Sequence, residues 1–176
     1  MTFDFSEFKN KKIIVTGSST GIGFETGVEF LNLGANVIFH GNQSINDLEA
    51  RIKAKSQSQN FKIFKSDFTD LSQVDNFMNN AINYLNGLDI LVNNAGTMVG
   101  RYQLETISEK DFLKIFDLNA KSAYFATKSA CTIFKKQNYG NIINVSTISA
   151  RTGGSAGSSV YACLLYTSPS PRDQLQ

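Results

Sequence analysis

The 176-residue chain is poor in what would take it out of a reducing, aqueous compartment. It has 2 cysteines, Cys131 and Cys163, far apart and without the spacing of metal ligands. Free thiols in a cytoplasmic protein are the simplest reading, rather than a disulfide framework or a zinc site. No apolar run is long enough to span a bilayer. The opening "MTFDFSEFKNKK" carries acids early and lacks the apolar core of a signal peptide. Charge of one sign never accumulates, and the formal net charge is +2. Neither nucleic acid nor a membrane surface is therefore indicated as a partner. Proline is almost absent: the 2 prolines, Pro169 and Pro171, both lie in the last stretch.

What is present suits one folded domain. Hydrophobic residues make up 41% and charged residues 18%, enough to bury a core and too apolar for a disordered chain. Short β-branched and apolar runs alternate with segments of helical period. Strands are expected at "KIIVT" (12–16), "NVIFH" (36–40), "FKIFKS" (61–66), "DILVNN" (89–94) and "NIINVS" (141–146). The first helix follows "TGSSTGIG", with Ile22, Val28, Phe30, Leu31 and Leu33 on its apolar face and Gly34 as its stop. A second carries Ile45, Leu48 and Ile52, a third is expected to be capped by Ser72, and a long one covers about 109–136. This βαβαβαβαβ order, with right-handed crossovers, predicts an α/β fold: a doubly wound parallel sheet with helices on both faces. Ligands in such sheets sit outside the carboxyl ends of the strands, so the residues after each strand are the candidates for function.

After the first strand come Gly17, Ser19, Gly21, Ile22 and Gly23. Glycines between a strand and a helix let a diphosphate approach backbone N–H groups where the helix dipole favours anions. After the second strand come His40, Gly41, Asn42 and Gln43, with no carboxylate before Asp47. A carboxylate there would bond the ribose 2′-hydroxyl of NAD and repel a 2′-phosphate, so its absence leans towards NADP. No arginine or lysine is present there to hold that phosphate, and a plain solvated loop is the other reading. Asp67, followed by Phe68, could accept a bond from an adenine amino group or cap the next helix. After the fourth strand, Ala95 and Gly96 in "NNAG" leave room for a cofactor, while Asn93 and Asn94 can brace neighbouring turns.

Taken together, "TGSSTGIG", "NNAG", Asn119 in "FDLNAKSAYFAT", "GNIINVST" and "VYA" resemble the short-chain dehydrogenase/reductase family over about 11–162. The resemblance implies a Rossmann-type fold and hydride transfer between NADP, with NAD not excluded, and a small carbonyl or alcohol substrate. It implies a homo-oligomeric parent and a site built from Asn, Ser, Tyr and Lys, without a metal. Carried over, Asn119 would hold a proton-relay water and Tyr161 would be the acid. Thr147 stands at the place of the catalytic serine, with Ser146 as the fallback.

The lysine expected one helical turn after Tyr161 is Leu165. A free tyrosine has a pKa of about 10, and the family's lysine helps to bring it down. From Cys163 onward the composition changes, with no Asn, Lys, Ile or Phe. "CLLYTSPSPRD" resembles a transposase-type sequencing adapter read as codons. The expected organisation is an incomplete NAD(P)-binding Rossmann domain at 1–162, lacking its last two strands, and a non-native tail at 163–176. Such a chain is expected to expose its fifth strand as an edge, and to be aggregation-prone or partly folded, and inactive. Two other readings stay open: a non-catalytic dinucleotide-binding protein in which Leu165 is genuine, and a different doubly wound protein such as a methyltransferase.

Overall fold

A computed structural model describes residues 4–43 and 45–166. Five parallel strands form one sheet: β1 (Lys12–Val15), β2 (Asn36–Gly41), β3 (Phe61–Lys65), β4 (Ile90–Asn93) and β5 (Asn141–Asn144). Their spatial order is β3-β2-β1-β4-β5, the doubly wound arrangement predicted from the sequence. Order reverses between β1 and β4, so the connections on either side of that pair leave in opposite directions and open a crevice at the strands' carboxyl ends.

Both sheet faces are covered, and strand alternation sorts the core into two layers. Ile14, Ile38 and Leu91 face α3 (Leu71–Leu85) and α5 (Ser122–Gln137), where Val74, Phe77, Met78, Ala126 and Ala130 fill the space. Ile13, Val15, Val37, Phe39 and Val92 face α1 (Gly21–Asn32) and α2 (Leu48–Lys55), meeting Phe24, Val28, Leu31, Leu48 and Ile52. β5 lies at one edge of the sheet with alternately exposed and half-buried residues, and Ile143 is exposed.

Several local expectations are corrected. The apolar face of α1 is Phe24, Val28 and Leu31 with Gly23 and Gly27, whereas Ile22 is 70% exposed and Phe30 and Leu33 are half-buried. Close approach to Phe39 of β2 and to the preceding turn requires glycine at positions 27 and 23 of that face. The cap of α3 is Asp70, whose carboxylate accepts from the Ser72 N–H at 2.9 Å, because an aspartate two residues earlier outcompetes the serine for that role. α2 begins at Leu48, later than its apolar period suggested, and Ile45 packs from the preceding turn. The long helix is three pieces: α4 (Glu109–Phe116), a π-helical turn (Asp117–Lys121) and α5. Beyond β5, α6 (Ser149–Thr152) and α7 (Ser159–Tyr166) end the described structure. The sequence expectation for 163–176 lies outside the described residues from 167 onward.

Candidate active site

A cleft of about 750 Å³ opens at the carboxyl ends of β1, β2 and β4, within the size range of small-molecule sites. It is lined by Gly17, Ser19, Gly21, Ile22, Asn42, Asp67, Phe68, Asn94, Ala95, Gly96, Asn119, Ser146, Thr147 and Tyr161. Every site residue expected from the sequence therefore meets in one place, except Gly23. His40, Lys114 and Leu165 join them on its walls.

The three glycines of the first turn do different things. Gly17 has φ +61°, and a Cβ there would stand 2.6 Å from the Ala95 Cα. It allows the β1 turn to lie against "NNAG". Gly21 has φ +58°, and a Cβ there would have nothing within 4 Å, so its face is open to the cleft. Gly23 is buried beneath the turn; a Cβ there would strike the Asn94 amide and come within 2.7 Å of the Gly17 carbonyl oxygen. The expectation that Gly23 admits a diphosphate is thus corrected: it admits the turn itself.

Around these glycines the polar groups are wired to one another. Thr16 Oγ1 donates to the Val92 carbonyl at 3.3 Å and accepts from the Asn94 and Ala95 N–H groups, each at 3.0 Å. Asn94 Nδ2 donates to the Thr16 and Gly17 carbonyls at 3.0 Å each. Asn93 Nδ2 donates to Thr127 and to the Asn144 side-chain oxygen, both at 2.9 Å, tying β4 to α5 and β5. Ser18 is fully buried; its hydroxyl donates to the Val15 carbonyl at 2.6 Å and accepts from the His40 N–H at 2.8 Å.

The residues at the end of β2 are not a plain loop. His40 is only 3% exposed and lies within the strand. A Cβ at Gly41 would stand 2.7 Å from the Ser19 Cβ, so no acid fits there without movement. Asp67 does not cap α3. Its Oδ1 accepts from the Thr69 N–H and hydroxyl at 2.9 and 2.8 Å, and the Asn42 amide also bonds it. Burial pushes the Asp67 carboxyl up, but those bonds, together with Lys114 nearby, hold it below the ordinary carboxylate range.

α1 is led by Thr20, which makes no side-chain cap bond, whereas Asp70 caps α3 and Ser108 caps α4. Its first N–H groups are thus free of a side-chain cap at the cleft. An uncapped helix start, an open Gly21 and a cleft of this size fit the diphosphate of a dinucleotide.

At the other end of the cleft, Asn119 sits in the π-helical turn, a distortion frequent at functional positions. Its Nδ2 donates to the Thr97 and Ile115 carbonyls at 2.8 Å each, while its buried Oδ1 has no partner. Ser146 Oγ donates to the Leu165 carbonyl at 3.1 Å. Thr147 Oγ1 accepts from the Ser149 N–H at 3.3 Å. Tyr161 lies on α7, half-buried, and burial raises its phenol above the ordinary value. Leu165, one helical turn on, lines the same cleft and carries no charge.

Sequence reasoning missed Lys114, which lines the cleft, and the buried Thr16 and Ser18, which brace the turns beneath it. The signal for the latter two was available: hydroxyl residues directly after a buried strand must satisfy their own polar atoms.

Comparisons with known proteins agree with this geometry. The sequence pattern of the family described as short chain dehydrogenase matches residues 11–163. A probable NADP-dependent mannitol dehydrogenase of Yarrowia lipolytica is 31% identical over 80% of this chain and 51% of its own length. An uncharacterized oxidoreductase of Staphylococcus saprophyticus is 30% identical over 90% of this chain and 63% of its own length. Among solved structures, the NADH-dependent reductase A1-R′ complexed with NAD superimposes with a TM-score of 0.84 at 30% identity, over 93% of this chain and 70% of that one. A short-chain dehydrogenase from Burkholderia cenocepacia in complex with NADP gives a TM-score of 0.79 at 25% identity, over 90% and 64%. The chain spans about half the length of the curated relatives it matches.

Proposed function

The chain belongs to the short-chain dehydrogenase family, and from that premise we propose that its parent protein is an oxidoreductase acting between NADP(H) and a small carbonyl or alcohol. One observation carries this reading: the glycine turn after β1 and Tyr161 on α7, 144 residues after Gly17 in the sequence, line the same cleft. When bound, the cofactor supplies or accepts the hydride. The first turn of α1, with Gly17, Ser19, Gly21 and Ile22, holds the diphosphate. Asn42, Asp67 and Phe68 hold the adenosine, and Asn94, Ala95 and Gly96 give the rest of the cofactor a flat backbone to lie against. Thr147 or Ser146 donates a hydrogen bond to the substrate oxygen, and Tyr161 gives that oxygen its proton. Asn119 holds a water in the relay through its unpartnered oxygen. NADP is favoured over NAD because no carboxylate stands after β2 before Asp47 to bond a 2′-hydroxyl and repel a 2′-phosphate.

A second reading is favoured by one observation at Tyr161. The phenol is shifted upward by burial, and Leu165 offers no cation to reverse the shift. A chain in which Leu165 is genuine binds the dinucleotide and performs no proton transfer near neutrality. We propose instead that the parent carries a lysine at that position and that 163–176 is not native to it. Reading the coding sequence past Ala162 in the source decides between them. A lysine at position 165, with NADPH oxidation on adding ketones or aldehydes to the restored protein, is the expected result. A confirmed leucine with no oxidation would leave the binding role alone.

A further inference from the structure

His40 is the buried imidazole for which the proposed chemistry has no use, and its surroundings give it one. Its Nδ1 lies 2.9 Å from the Gly17 N–H, and its Nε2 lies 3.1 Å from the Ser66 carbonyl oxygen. A carbonyl can only accept and an N–H can only donate. The proton is therefore on Nε2, and bare Nδ1 accepts from the turn. The backbone of His40 repeats the connection: its carbonyl accepts from the Ser18 N–H at 2.8 Å, and its N–H donates to Ser18 Oγ at 2.8 Å. The ring stacks on Phe68 with centroids 3.9 Å apart and planes 25° apart. One side chain thus joins the glycine turn after β1 to the Ser66–Phe68 wall after β3.

We propose that His40 is a positioning residue for dinucleotide binding: its ring holds the Gly17 turn in its left-handed conformation and in register with the adenosine-side wall. This rests on the dinucleotide reading above. Gly17 has φ +61° and little intrinsic preference for that state over others. A turn left to order itself on binding would spend part of the binding free energy on that ordering. A neutral acceptor fixed beneath its N–H removes the freedom beforehand. Burial holds the imidazole neutral, with a pKa lowered to about 4, which keeps Nδ1 an acceptor.

The two ring nitrogens can be separated by substitution, since an asparagine amide reaches the place of Nδ1 and a glutamine amide that of Nε2. His40→Asn, His40→Gln and His40→Phe would be compared with wild type in NADPH titrations, alongside hydrogen exchange at the Gly17 amide and the urea midpoint. His40→Asn is expected to bind within about threefold of wild type and to keep the Gly17 amide protected. His40→Gln and His40→Phe are expected to weaken binding about tenfold or more and to lose that protection, as befits an unpaired buried N–H. Equal binding by His40→Phe and wild type would overturn the proposal. So would affinities that follow the urea midpoints of the three variants rather than Gly17 protection. A wild-type chain that binds no dinucleotide sinks the functional reading first and this proposal with it, whereas indistinguishable variants of a wild type that does bind sink this proposal alone.

Discussion

The two ends of the cleft are built to different standards. At the β1–β2 end, Thr16, Ser18, His40 and Asn94 each hold two or more neighbours by hydrogen bonds, and Gly17 and Gly23 fit under them with no spare space. At the β5–α7 end, Ser146 bonds a helix carbonyl, Thr147 bonds its own turn, and burial raises the pKa of the Tyr161 phenol with a leucine beside it. In the proposed reading the first end would bind by shape and backbone, and the groups for that are in place. The second needs a charge, and none stands one turn beyond the tyrosine. The proposed binding and the proposed chemistry can thus be tested separately by substitution.

The largest difference is expected between two glycines of the same conformation. Gly17→Ala combines a φ of +61° with a Cβ 2.6 Å from the Ala95 Cα, and should cost about 4 kcal/mol in urea unfolding. Gly153 has φ +77° and nothing within 4 Å, so Gly153→Ala should cost about 1 kcal/mol. Equal costs would mean that the first turn is no more tightly packed than the second.

Next comes acid. His40 has a folded-state pKa of about 4 against an ordinary 6.5, so the unfolded chain binds the extra proton first. Stability should be complete above about pH 6.5 and fall as pH drops towards 4, by about 3 kcal/mol at most. Asp67, also lowered, protonates only below its ordinary range and so contributes at still lower pH. His40→Asn should flatten the pH 4–6.5 slope in urea midpoints. A slope unchanged in the variant would remove His40 as its source.

At the opposite end, Leu165→Lys should raise NADPH oxidation with a panel of small ketones and aldehydes by about 100-fold, the usual scale of a working general acid. Tyr161→Phe in that background should abolish the gain. No gain from the lysine would show that charge is not what distinguishes the two ends. The smallest effect is expected at Ser146→Ala, whose exposed hydroxyl bonds only a helix carbonyl; thermal unfolding should register less than about 1 kcal/mol.

The strands and their order were legible because alternation of helix and strand leaves few topologies open. The cleft's membership was legible for the same reason: in a doubly wound sheet, strand ends converge wherever they lie in the sequence. What was not legible is which residue bonds which. Gly23 and Gly21 look alike in "TGIG", yet one faces Asn94 and the other open space. Ser72 was expected to cap α3, whereas Asp70 does so. His40 was placed at the end of the second strand and also grouped with the residues after it; period-two alternation sets it with Ile38 on the α3 side of the sheet, and that signal could have been read. The π-helical turn at Asn119 interrupts what the sequence presented as one continuous helix over about 109–136.

The most direct measurement is a fluorescence titration of the chain with NADPH and with NADH at neutral pH. Saturable binding of NADPH, tighter than that of NADH, is the expected result. Much tighter NADH binding would contradict the reading of the β2 end, and no binding of either would contradict the assignment of the cleft itself.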